Sequence, residues 1–274
     1  MFLFYASRNP AGKIALIISA APANQFTDKE YYADDREEQN RVLAETGVGV
    51  LMLGIIGGTS LLFLKLPVLT KKRIDTPFGN AELHLGDIAL LMRHQQGLPP
   101  HRINFRASMA ALAISGVDRI IAFGSSGSLN REICPGSLVI PTDYVSMTDI
   151  PSIHDHAIEH VMPSLSPDLS AELHRSIPAA RLGGTYVQTR GPRFETIAEI
   201  AALSRCADLV GMTLASEATL AGELGMPFAA ICTVDNYANG LADGVLTYDE
   251  ILEISRQYRD RTGEILNTII KNMA

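Results

Sequence analysis

Short apolar runs alternate with stretches of helical spacing along most of this chain. Val50 to Ile56 is continuously apolar and ends in Gly57-Gly58-Thr59-Ser60, the pattern of a buried strand entering a loop. Ile88 to Met92 is stopped by Arg93-His94, and Arg119 to Phe123 by Gly124-Ser125-Ser126-Gly127-Ser128. Leu138 to Ile140, Thr185 to Val187, Leu209-Val210 and Phe228 to Val234 predict further strands. Helical periodicity predicts helices over Phe105 to Ile114, Leu169 to Ser176, Ile197 to Leu203, Ala215 to Leu224 and Tyr248 to Ile270. Strands alternating with helices imply one α/β sandwich around a mixed, largely parallel twisted sheet. No linker divides residues 51–274, so that span reads as a single domain, and residues 1–50 as an N-terminal extension.

In such folds the carboxyl ends of parallel strands gather at one edge, where ligands bind. Thr59, Arg93, Ser125, Thr213 and Asn236 all fall at predicted strand ends. Taken singly, each also fits a capped turn or a helix start. Two loops stand out, Gly191-Pro-Arg-Phe-Glu-Thr196 and Gly211-Met-Thr-Leu-Ala-Ser-Glu217. Each leads into a helical run through residues that a core would not select. A guanidinium at Arg93 suits a dianion such as phosphate. Hydroxyls at Thr59 and Thr213, backbone N–H groups near Ser125 and a donor from His94 could complete an anion nest. Gly54-Ile-Ile-Gly-Gly-Thr59 is not the dinucleotide fingerprint.

Composition narrows the partners. The net charge of −7, with Lys and Arg unclustered, argues against nucleic acid and anionic membranes. No apolar run reaches the roughly 18–20 residues of a membrane span. Cys134, Cys206 and Cys232 lie far apart, which fits a reducing, cytoplasmic setting and no metal site. The first 50 residues differ from the rest. Ile14 to Ala23 is apolar with a weakly signal-like end, Phe26 to Glu45 is highly charged, and Met52 would make a natural first residue for the domain.

Several segments together resemble the purine nucleoside phosphorylase and methylthioadenosine phosphorylase family, the trimeric branch of the nucleoside phosphorylases. They are Gly54 to Thr59, Asp75-Thr-Pro-Phe-Gly79, Arg93-His94, Pro100 to Arg106, Gly127-Ser-Leu129, Gly191 to Glu195, and Gly211-Met-Thr213 with Glu217. The resemblance implies phosphorolysis: inorganic phosphate, a co-substrate, attacks the anomeric carbon of a purine nucleoside, with no cofactor. Phosphate would fall to Thr59, Arg93, His94, the Ser125 backbone and Thr213, and ribose to Met212. Phe194 and Glu195 would line the base site, and His160 would reach a neighbour's sugar pocket in a homotrimer or a dimer of trimers. Arg93, Glu195 and Asn236 are the implied catalytic residues. Glu195 would accept N1–H of a 6-oxopurine and Asn236 would face N7 and O6. A register shift placing Asp235 there would favour a 6-aminopurine. Tyr248 and Leu252 would read the 5′ end of the sugar, and the stretch from Asn236 to Thr247 is most similar to methylthioinosine phosphorylases. Gln95, Gly124 and Ala215-Ser216 depart from the family pattern and leave room for a catalytically impaired purine-binding protein.

Overall fold

The computed structural model describes residues 2–8, 14–20, 29–30, 52–95, 97–155, 158–242 and 247–274. In the extension, β1 (Phe2–Arg8), β2 (Ile14–Ala20) and β3 (Lys29–Glu30) form their own antiparallel sheet. Most of the charged stretch from Phe26 to Glu45 lies outside the described residues.

The main sheet is built on β4 (Leu53–Gly57), β7 (Ala89–Met92), β8 (Arg119–Ser128) and β14 (Phe228–Tyr237), all paired in parallel. Side chains alternate between the two faces of each strand. Ile56, Leu91, Ala122 and Ala230 pack on one side, with Met109 and Leu112 of α1 (Phe105–Ile114) and Leu220 of α4 (Leu214–Glu223). Ile55, Leu90, Ile121 and Ile231 pack on the other, with Leu173 of α2 (Pro167–Ser176) and Leu266 and Ile269 of α6 (Arg259–Met273). Each fully buried Leu, Ile or Met among them contributes about 1.5–3 kcal/mol. The double-sided burial explains why these strands read as continuous apolar runs.

The remaining strands are β9 (Leu138–Ile140), β10 (Asp143–Ser146), β11 (Arg181–Leu182), β12 (Thr185–Gln188) and β13 (Leu209–Gly211), with α3 (Ile197–Leu203) between the last two. A hairpin, β5 (Thr70–Thr76) and β6 (Gly79–Leu85), closes the far edge antiparallel to β7. Its largely polar residues hid it from a search for apolar runs.

Two strands overrun their predicted ends. β8 does not stop at Phe123 but continues through Gly124 to Ser128, because β14 pairs with it from Ile120 to Ser128 and β13 pairs with Gly127 and Ser128 at its end. The small residues there reflect crowding rather than a turn. A Cβ on Gly124 would lie 3.0 Å from Leu214 Cδ1 and 3.1 Å from Cys232 Sγ. β14 likewise passes Val234, so Ser125 and Asn236 lie within strands and not, as expected, at strand ends. The long helix expected from Tyr248 to Ile270 breaks at Tyr258 into α5 (Tyr248–Gln257) and α6.

Candidate active site

Arg93 follows β7, and its backbone N–H donates to Gly57 O at 2.7 Å, tying the ends of β7 and β4 together. The side chain runs into the protein and is 3% exposed. Glu217, on the first turn of α4, takes its Nε and Nη2 at 2.5 and 2.9 Å, and Nη1 donates to Phe123 O at 3.0 Å. Burial by itself would lower the pKa of the guanidinium; the Glu217 carboxylate overrides that and holds it above its ordinary value. Arg93 is therefore one half of a closed ion pair, not the open cation the sequence suggests. Each terminal nitrogen still has a further N–H to offer a ligand. Nη1 passes so close to Gly58 that a Cβ there would sit 2.5 Å away, and His94 Nε2 lies 3.4 Å from the same point. Both nitrogens thus converge on backbone that only glycine allows.

His94 is half-buried. Its Nδ1 lies 2.8 Å from Leu98 O, so this nitrogen carries a proton. Burial lowers its pKa, the Leu98 bond opposes this, and Arg93 lowers it further. In the neutral ring Nε2 is then an acceptor. Thr59 begins a short 3₁₀ turn directly after Gly58. A cavity of about 190 Å³ borders Gly57, Gly58 and His94 on one side and Lys71 and His84 of the hairpin on the other. Gln95, with φ 46°, anchors this corner: its amide receives Glu82 N–H at 2.8 Å and donates to Met92 O at 3.1 Å.

The two loops singled out by sequence meet. A Cβ on Gly191 would lie 3.0 Å from Met212 Sδ. Thr213 is buried, and its N–H donates to the Tyr186 hydroxyl at 3.3 Å. That hydroxyl lies so near Gly211 that a Cβ there would be 2.2 Å away. Glu195 is buried, its carboxylate accepts from the Thr189 hydroxyl, and its backbone carbonyl accepts from Asn239 Nδ2 at 3.2 Å. The segment after β14 is thereby drawn against the first loop, while Phe194 stays half-buried beside it.

A bulge lies between Val234 and Asn236, so Asp235 has no partner residue on β8. Asp235 is 4% exposed and accepts from the Ser125 hydroxyl. Asn236 is half-buried, with Nδ2 donating to Tyr237 O at 2.8 Å and lying 3.3 Å from where a Gly127 Cβ would be.

Other expected residues lie further out. Tyr248, first residue of α5, is 56% exposed, and Leu252 one turn on is half-buried. Residues 243–246, just before them, lie outside the described residues. His160 is exposed on the connection between β10 and α2 and makes no hydrogen bond or ion pair among the described residues. No cluster of metal-ligating side chains occurs among the described residues, and none of their helices is long and apolar enough to cross a membrane.

The sequence profile of the phosphorylase superfamily matches residues 52–271. The chain belongs to that superfamily. Among its relatives is a protein of Archaeoglobus fulgidus named "Probable 6-oxopurine nucleoside phosphorylase", 40% identical over 235 residues, covering 81% of this chain and 97% of that one. A Methanocaldococcus jannaschii protein named "Probable S-methyl-5′-thioinosine phosphorylase" is 34% identical, over 80% of this chain and 92% of its own. Among solved structures, methylthioadenosine phosphorylase from Schistosoma mansoni in complex with adenine superposes with a TM-score of 0.72 at 25% identity, covering 81% of this phosphorylase and 91% of that chain.

Glu217 is the main residue that sequence reasoning left without a role. Its signal is legible afterwards: a carboxylate amid Leu214, Ala215, Ala218 and Ala221, on a helix otherwise suited to burial. Thr189 and Tyr186 left no such signal, because their contacts depend on how separate elements pack.

Proposed function

We propose that this phosphorylase cleaves 6-oxopurine nucleosides, with 5′-methylthioinosine favoured over inosine and guanosine. Inorganic phosphate would sit where Arg93 Nη1 and His94 Nε2 converge at Gly58, with Thr59, the Ser125 backbone and Thr213 around it. An oxygen of HPO₄²⁻ attacks C1′ while the bond to N9 breaks and its electron pair leaves with the base. The proton lost from phosphate balances the one the base gains. A neutral His94, with Nε2 free to accept, suits a phosphate that still carries that proton. The dianion also stabilises the oxocarbenium-like ribosyl group electrostatically. Met212 would line the ribose. Glu195 would accept N1–H, and the Asn236 amide would donate at N7 so that the base need not depart as a bare anion.

The bulge at Asp235 carries the 6-oxo assignment. It turns Asp235 to Ser125 and leaves the Asn236 amide at the half-buried surface, where an amide fits a 6-oxopurine. The names of the two archaeal relatives agree with this reading. The likeness to a methylthioadenosine phosphorylase supports a 6-aminopurine as the second reading. The test follows base release from methylthioinosine, inosine, guanosine and methylthioadenosine, with and without phosphate. Phosphate-dependent release, fastest from the 6-oxopurines, is expected. Equal rates without phosphate would make the enzyme a nucleosidase, and a preference for methylthioadenosine would move the base reading to Asp235.

The reading includes a cytoplasmic homotrimer, or a dimer of trimers, in which His160 completes a neighbour's sugar site; it needs neither cofactor nor metal. Light scattering checks the assembly. His160→Ala should raise the nucleoside KM and leave the phosphate KM unchanged.

A further inference from the structure

Three consecutive residues of β8 are each held by a different partner. Phe123 O accepts from Arg93 Nη1 at 3.0 Å, Gly124 O accepts from the Thr233 hydroxyl at 3.3 Å, and the Ser125 hydroxyl donates to Asp235. The last two partners belong to β14, and Asp235 is the residue left without a partner at its bulge. We propose that Asp235 is a positioning residue for phosphate, holding Ser125 and, through Thr233, the Gly124 carbonyl in the geometry that presents the β8 backbone to the anion. This rests on the reading that the Ser125 backbone borders the phosphate.

Thr233 has a single hydroxyl proton to place. Beyond Gly124 O, it also bonds the Asp235 carboxyl. When Asp235 is ionised it can draw both hydroxyl protons, leaving Gly124 O without its donor and adding negative charge near the anion. When Asp235 is protonated it donates instead, and Thr233 stays on Gly124 O. Phosphate should therefore bind more tightly when Asp235 is neutral.

Burial raises the Asp235 carboxyl to about 6 despite the opposing Ser125 and Thr233 bonds, so the change falls within a range that assays reach. Ser125 faces the carboxyl from β8 and Thr233 from its own strand. The thiol of Cys232, which burial pushes up to about 12, stays neutral there while sensing both Arg93 and Asp235. Arg93 and Glu217 remain paired with each other.

Sulfate, whose charge is constant from about pH 5 to about pH 9, serves as the probe, competing with phosphate. In the wild type its inhibition constant should rise on the order of tenfold as pH passes through about 6. In Asp235→Asn that step should vanish, with the nucleoside KM and base preference unchanged; any contribution from His94 stays in both proteins. Ser125→Ala should raise the phosphate KM severalfold and leave the nucleoside KM alone. An unaltered pH step in Asp235→Asn, or an unaltered phosphate KM in Ser125→Ala, overturns the proposal. A switch in base preference in Asp235→Asn does so too, since it puts Asp235 at the purine. Arg93→Lys separates the two levels. If it leaves phosphate and sulfate affinity untouched, the phosphate site itself is misplaced. If it weakens both while Asp235→Asn keeps the step, only the role of Asp235 falls.

Discussion

Arg93 and Tyr248, both expected to touch substrate, sit in opposite surroundings. One is 3% exposed and bonded to Glu217 and Phe123; the other is 56% exposed at the start of a helix. At the Arg93 end the geometry is set before any ligand arrives. Desolvating a guanidinium is expensive, and the paired carboxylate and carbonyl compensate it locally. At the Tyr248 end no hydrogen bond among the described residues fixes what the ring will cover. A charge-stabilising group gains from a rigid, water-poor setting. A group that only discriminates between a hydroxyl and a thiomethyl can stay open and take its order from the ligand.

Removing one member of the buried pair should have the largest effect. Glu217→Ala leaves the Arg93 charge buried and unpaired, and should cost about 3–5 kcal/mol of stability in urea unfolding. A loss under about 1 kcal/mol would mean that the closed end is not closed in solution. Arg93→Lys keeps the charge but loses the fork geometry; kcat/KM for phosphate should fall on the order of 10²–10³-fold. Glu195→Gln should reduce kcat/KM for inosine on the order of 10²-fold, with the phosphate KM unchanged.

Stability against pH gives a smaller effect and tests the middle of the site. The folded value for Asp235, about 6, lies above its ordinary 3.8. Its contribution to stability is thus present at low pH and lost as pH rises through about 6. Asp235→Asn should match the wild type near pH 4 and exceed it by about 1–3 kcal/mol near pH 8, read from urea midpoints at both values. The smallest effect belongs to the open end. Tyr248→Leu should shift the preference for methylthioinosine over inosine by a few-fold, on the order of 1 kcal/mol, with no change in stability. A large loss of stability there would erase the contrast with Arg93.

Much of this was legible in the chain. Double-sided burial writes itself as continuous apolar runs, so β4, β7, β9 and the core of β8 and β14 stood out, as did α1 and α3. The loops Gly191–Thr196 and Gly211–Glu217 were visible for the opposite reason: small, polar and rigid residues where packing asks for none. Their contact through Gly191 and Met212 was not visible, since it depends on how β12, β13 and α4 stack.

The sequence by itself determined the α/β architecture and the family, and it named the residues proposed for the site, because periodicity and motif are local properties. Tertiary structure alone decided their states. It turned Arg93 from a free cation into half of an ion pair by bringing Glu217 to it from 124 residues away. It showed that the glycines and serines after Phe123 continue a strand crowded by two neighbours. It resolved the adjacent Asp235 and Asn236 into different environments, because a one-residue bulge is a matter of pairing between strands, and no single strand records its partner's register.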